Sequence, residues 1–200
     1  MTAKRKQPIN HNQMSFDIPA PQLNRCGKQC FPDNSVCGEI GLCKFTKFYN
    51  IPEPLAGCRR WVSFRIIPQP DGSMTKFPLK INGAPARADH QEDWSTLKEI
   101  LRAIEFDVGQ YPAFALGIDH PLRVLDLDDC ISEGTLSPLA QNVLTASPGC
   151  YVERSVSGRG LHILVWASEN KVPCHPIAGL EVYGGAPRFI VMTGDLWRVT

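Results

Sequence analysis

Apolar runs in this sequence are short, and that limits the fold more than any other feature. Leu161-His162-Ile163-Leu164-Val165-Trp166-Ala167 is among the longest. None approaches the ~18–20 residues that a bilayer-spanning helix needs. Runs of this length suit strands bounded by turns, and several sit beside amphipathic helical stretches. Trp61-Val62-Ser63-Phe64-Arg65-Ile66-Ile67 alternates as a strand, Pro68-Gln69-Pro70-Asp71-Gly72 turns, and Thr75-Lys76-Phe77-Pro78-Leu79-Lys80 returns as a hairpin partner. Pro78 cannot donate to a ladder, so it marks that second run as an edge strand. Thr96-Leu97-Lys98-Glu99 fits a capping box, and Leu97, Ile100, Leu101 and Ile104 share one helical face. Ala113–Ile118 and Leu122–Leu127 read as strands, and Ser137-Pro138 opens a second helix that stops before Ser147-Pro148-Gly149. Strands over Leu161–Ala167, Gly179–Tyr183 and Arg188–Thr193 follow. The order β-β-α-β-β-α-β-β-β predicts an α+β fold with a mixed or antiparallel sheet.

Composition sets the remaining bounds. With 43% hydrophobic and 20% charged residues, the 200-residue chain can bury a core. The net charge of +1 conceals an asymmetry. Residues 1–60 carry nine Lys/Arg against four Asp/Glu, and residues 61–200 carry twelve against sixteen. The basic cluster Lys4-Arg5-Lys6 is followed by polar residues and prolines rather than an apolar segment, so no secretory signal is expected and a cytoplasmic location is the default. The eight cysteines then read as reduced thiols or metal ligands. We divide the chain into a basic, cysteine-rich arm over 1–57 and a catalytic domain over 58–200. Within the arm, Cys26, Cys30, Cys37 and Cys43 offer four thiols, enough for a tetrahedral zinc site. Free thiols are the competing reading, because no Cys-x-x-Cys pair is present in that set. Cys130, Cys150 and Cys174 read as packing residues.

Three motifs carry chemistry. In Val124-Leu125-Asp126-Leu127-Asp128-Asp129, Asp126 and Asp128 stand two residues apart and project from one face of a strand end. Paired carboxylates repel unless a cation lies between them, and hard oxygen ligands suit Mg²⁺ or Mn²⁺. An Asp-rich strand end in solvent is the bland alternative. Ser155-Val156-Ser157-Gly158-Arg159-Gly160-Leu161-His162 is a glycine- and serine-bearing loop whose backbone N–H groups can approach phosphate, with Arg159 and His162 as further donors. His162 taken alone reads equally as a core histidine. Gly179-Leu180-Glu181-Val182-Tyr183 places Glu181 in an apolar strand, where it needs a cation or a salt bridge; Arg188 is the bland partner. Three acids in this order can hold two divalent cations for phosphoryl or nucleotidyl transfer.

These motifs, in this order, resemble the primase-polymerase (Prim-Pol) domain of the archaeo-eukaryotic primase superfamily, in its phage and plasmid replication forms. The apolar strand ending Asp126-Leu127-Asp128, the Ser/Gly loop ending at His162, and Glu181 within Leu180–Tyr183 match that family's three motifs. Trp61–Phe64, Lys76-Phe77-Pro78 and Asp93–Leu97 resemble its N-terminal elements, so the likeness spans roughly residues 58–195. The cysteine-rich segment and Gly184-Gly185-Ala186-Pro187 depart from the pattern. The resemblance implies an RNA-recognition-like catalytic core with a packed N-terminal α/β unit. It implies template-directed nucleotidyl transfer with Asp126, Asp128 and Glu181 on Mg²⁺ or Mn²⁺. Ser155, Ser157, Arg159, His162 and Arg188 would then meet the incoming nucleotide, and Lys76 the DNA. The implied partners are single-stranded DNA template, primer, dNTP or NTP, and a helicase domain or protein, in a bacterial or phage-infected cell. Two alternatives stand beside it. One is a non-catalytic DNA-binding replication-initiation module. The other is a haloacid-dehalogenase-like phosphatase, whose motif needs Thr or Val where Cys130 stands.

Overall fold

The computed structural model describes residues 42–71, 74–167 and 178–197. Among the described residues, regular structure begins at a 3₁₀ segment, Leu42–Asn50, and a single helical turn, α1 (Glu53–Ala56), earlier than the expected start near Trp61. Phe45, Phe48, Ile51 and Leu55 are buried, so this stretch is part of the core although its sequence lacks a sustained period. Cys26, Cys30, Cys37 and Cys174 lie outside the described residues, as does the side chain of Cys43.

Two four-stranded antiparallel sheets dominate, with few short helices, and one sheet curls into a half-barrel. The first contains β1 (Trp61–Pro68), β2 (Met74–Leu79) and β3 (Tyr111–Leu116). The expected hairpin forms, with Phe64 opposite Pro78 and Ile66 opposite Lys76, and β2 is the edge strand that Pro78 requires. Helix α2 (Leu97–Glu105) begins at the anticipated capping box: Thr96 Oγ1 accepts from the Glu99 N–H, and the Glu99 carboxylate accepts from the Thr96 N–H. Leu97, Ile100, Leu101 and Ile104 on its apolar face are all buried.

The second sheet has the order β7 (Tyr151–Arg154), β8 (Leu161–Trp166), β4 (Leu122–Leu127), β9 (Leu180–Tyr183). One face carries Leu127, Leu161 and Ile163, against which α3 (Pro138–Thr145) packs through Ala140, Leu139 and Val143. Cys130 and Cys150 join this cluster as packing residues. Ser137 caps α3 by accepting from the Ala140 N–H, and Pro138 occupies its first turn. A two-stranded ribbon, β5 (Ile131–Ser132) with β6 (Thr135–Leu136), precedes α3.

The order found differs from the expected one, which lacked the β5–β6 ribbon. The strand β7 was absent from that order too, and β10 (Arg188–Val191) does not join the sheet of its sequence neighbours. It returns to β3, with Arg188 opposite Leu116 and Val191 opposite Ala113. The consecutive strands β3 and β4 fall in different sheets, so the chain changes sheet there and again between β9 and β10. Among the described residues no helix is long and apolar enough to cross a membrane.

Candidate functional site

Register places the site. In β4, Asp126 pairs with His162 of β8 on one side and with Glu181 of β9 on the other. His162 pairs in turn with Glu153 of β7. Directly opposed residues of antiparallel strands share a face, so Glu153, His162, Asp126 and Glu181 form one row across all four strands, on the face opposite α3. The apolar residues of β4 and β8 that flank this row force the register, because a one-residue slip would turn Asp126 into the α3 core.

Exposure rises along the row. Glu153 is fully buried, His162 nearly so, Asp126 half-buried and Glu181 exposed. Glu153 Oε1 accepts from the Thr193 N–H at 2.9 Å, and Oε2 accepts from the Gly194 N–H at 2.8 Å and from the Tyr151 hydroxyl at 2.7 Å. His162 Nδ1 lies 3.2 Å from Glu153 Oε1, and Nε2 lies 3.7 Å from Asp126 Oδ1. That Asp126 oxygen is buried and has no hydrogen-bond partner. At the exposed end, the Tyr183 hydroxyl donates to Glu181, and the Arg188 guanidinium stacks on the Tyr183 ring 3.8 Å from its centre. Burial and the Glu181 carboxylate push the Tyr183 hydroxyl well above its ordinary range.

Asp128 lies beyond the end of β4, in the following turn, and is exposed. Asp129 adopts a left-handed conformation there, with φ 43°, and its carboxylate accepts from Arg159 at 2.8 Å. Both side chains of that pair are about two-thirds exposed, so it is a weak tether that a phosphate can displace. The loop between β7 and β8 closes on itself. Ser155 Oγ accepts from the Gly160 N–H, Ser157 Oγ accepts from the Arg159 N–H, and the two hydroxyls lie 3.1 Å apart. Gly160 has no room for a side chain: a Cβ would sit 2.7 Å from the Leu127 carbonyl oxygen. The loop is thereby pressed against the end of β4. Lys76 is exposed on β2, and its charge acts on Asp126.

Burial raises the Asp126 carboxyl above the ordinary aspartate range; His162 opposes the rise, Asp128 and Glu181 add to it, and Lys76 opposes it weakly. The sign of the stability effect follows. The folded chain holds this proton to higher pH than the unfolded chain, so stability falls as pH rises from the ordinary aspartate range through the raised value. At neutral pH the ionised group is a net cost. Asp126→Asn is therefore expected to raise the melting temperature in chelator at neutral pH, with the gain fading as pH falls to the ordinary aspartate range. A thermal-melt series across pH reads this directly, and a variant less stable than wild type at neutral pH would contradict it.

Asp126 presents a buried carboxylate oxygen that has no hydrogen-bond partner, lies 3.7 Å from His162 Nε2 and belongs to a group that feels the charges of two further acids. Of the other two acids, Asp128 is exposed in the turn after β4 and Glu181 accepts from the Tyr183 hydroxyl. No three His, Cys, Asp or Glu side chains among the described residues stand together as a metal-holding group. Carboxylate donors are of the type that suits Mg²⁺ or Mn²⁺.

Sequence reasoning missed Glu153, Tyr151 and Tyr183. A signal was present, since Tyr151-x-Glu153 and Glu181-x-Tyr183 both have the two-residue spacing that places an acid and a phenol on one strand face. No protein-family model and no curated protein matches this chain.

Proposed function

We propose that the chain is a template-directed nucleotidyltransferase of the primase-polymerase kind, acting with Mg²⁺ or Mn²⁺ on dNTP or NTP. The observation that carries the proposal is the row His162–Asp126–Glu181 with the unpartnered Asp126 oxygen at its centre. Under this reading β4, β7, β8, β9 and α3 are the RNA-recognition-like core, and β1–β3 with α2 are the packed N-terminal unit. The phosphatase alternative has no equivalent use for a histidine registered against the aspartate.

Asp126, Asp128 and Glu181 would hold the divalent cations, which when bound supply charge stabilisation for in-line displacement at a phosphorus atom. The protein residues bind and orient. Ser155, Ser157 and Arg159 lie on the loop that ends at His162, so a triphosphate laid along it meets hydroxyls, a guanidinium and an imidazole in sequence. Arg159 exchanges Asp129 for phosphate. Arg188 and Tyr183, stacked at the outer end of the row, offer a cation and an aromatic face to the nucleotide or the primer terminus. Lys76, on the edge strand of the other sheet, would face the template phosphates.

Primer-extension and unprimed assays with each nucleotide class and each metal test this reading. Metal-dependent product with wild type, lost in Asp126→Ala, is the expected result. A folded wild-type chain that neither extends a primer nor starts one, with either metal, would refute it.

A further inference from the structure

Glu153 is used by nothing in the transferase reading, yet it is the most completely enclosed charged group of the row. Its carboxylate meets four polar partners, two on each oxygen: the Thr193 N–H and His162 Nδ1 on Oε1, the Gly194 N–H and the Tyr151 hydroxyl on Oε2. Two carboxylate oxygens offer about four acceptor sites, so the set is filled. Three of the partners are fixed donors: two are backbone N–H groups, and the third is a phenol whose oxygen would otherwise face a carboxylate. An unprotonated Nδ1 at 3.2 Å would oppose its lone pair to Oε1, an arrangement with no hydrogen between two acceptors. The contact is satisfied when Nδ1 carries the proton and donates it.

We propose that Glu153 is a positioning residue that fixes the ring orientation and tautomer of His162, holding the proton on Nδ1 and leaving Nε2 as the one ring nitrogen turned toward Asp126 and its ligands. The purpose of this arrangement rests on the transferase reading; the arrangement itself does not. Outer partners of this kind set which nitrogen of a histidine is offered to a ligand and how firmly. The same carboxylate ties the Thr193–Gly194 backbone, so the segment leaving β10 and the imidazole are held by one group.

The test is histidine-ring ¹⁵N NMR on the full chain at neutral pH, free of metal and nucleotide, with the His162 signals identified by their loss in His162→Asn. Wild type is expected to carry a proton on Nδ1. In Glu153→Gln the acceptor capacity is halved, and population of the Nε2–H tautomer is expected to appear. Tyr151→Phe removes a different donor from the same carboxylate and is expected to leave the ring signals unchanged. Nucleoside triphosphate binding by wild type, measured with Mg²⁺ present, tests the transferase reading separately. A wild-type His162 with its proton on Nε2 alone would overturn the proposal even if Glu153→Gln did not fold. So would a folded Glu153→Gln with wild-type ring signals and only a lowered melting temperature, since that is a backbone clamp. A wild-type chain that binds no triphosphate would overturn the transferase reading alone, with the Nδ1 proton still supporting the positioning role.

Discussion

Asp126→Ala is expected to lower nucleotide incorporation about 1,000-fold or more, because losing about 4 kcal/mol of transition-state charge stabilisation costs three powers of ten. The fold should survive. The half-buried carboxylate is raised by burial and by its acidic neighbours, so its removal relieves a cost in the metal-free chain. The two readouts must therefore move oppositely: incorporation collapses, and the melting temperature in chelator holds or rises. Added Mg²⁺ or Mn²⁺ should stabilise wild type and leave Asp126→Ala unmoved, as linkage requires of a ligand that binds the folded state. A variant that retains incorporation would remove Asp126 from the chemistry. Equal metal-induced shifts in both proteins would place the cation elsewhere.

Glu153→Ala should show the largest loss of stability, about 3–5 kcal/mol, because it strands several buried donors around one deleted group. For a chain of this size that corresponds to roughly 10 °C or more in melting temperature. The loss has a specific anatomy. The Thr193 and Gly194 N–H bonds to Glu153 are buried, while the Tyr151 hydroxyl bond is only part-buried. Tyr151→Phe should therefore cost much less than Glu153→Ala, on the order of 1 kcal/mol. Denaturant melts of the two variants decide the matter. A Glu153→Ala protein within about 1 kcal/mol of wild type would mean that the pocket rearranges or fills with water.

The contrast between Asp126 and Glu153 shows what could be read in the sequence and why. Asp126 announces itself locally: an apolar strand runs into acids at two-residue spacing, and strand geometry alone puts them on one side. At Asp128 the rule reaches only the strand's end: β4 stops at Leu127, and the exposed second acid stands in the turn that follows, where its charge still acts on Asp126. Capping chemistry was equally legible, so α2 and α3 begin where Thr96 and Ser137 say they must. Glu153 was harder to read, because its two-residue spacing from Tyr151 marks a shared strand face and says nothing of burial. Four residues, Tyr151-Val152-Glu153-Arg154, are too few to display a period, and an acid flanked by arginine looks solvated. Its burial depends on N–H donors about 40 residues later in the chain, and no local pattern encodes their arrival. The return of β10 to β3 was hidden for a related reason: strand length and alternation say nothing about which sheet a strand enters.

Gly194 gives this long-range closure a further meaning. Its φ is +66°, and a Cβ there would collide with the Lys47 carbonyl, while Asn50 donates to the Gly194 carbonyl at 2.8 Å. The backbone of 193–194 is thus gripped on one side by the buried acid and on the other by the segment that precedes the first strand. On a secondary-structure diagram these residues are a connector, the sort of place where insertions and deletions accumulate among relatives. Here the irregular stretch is unforgiving: a single added residue would push against two separate parts of the chain at once. Sequence variation in this protein should accordingly concentrate in the turn after β5 and leave the unstructured-looking Thr193-Gly194 pair alone.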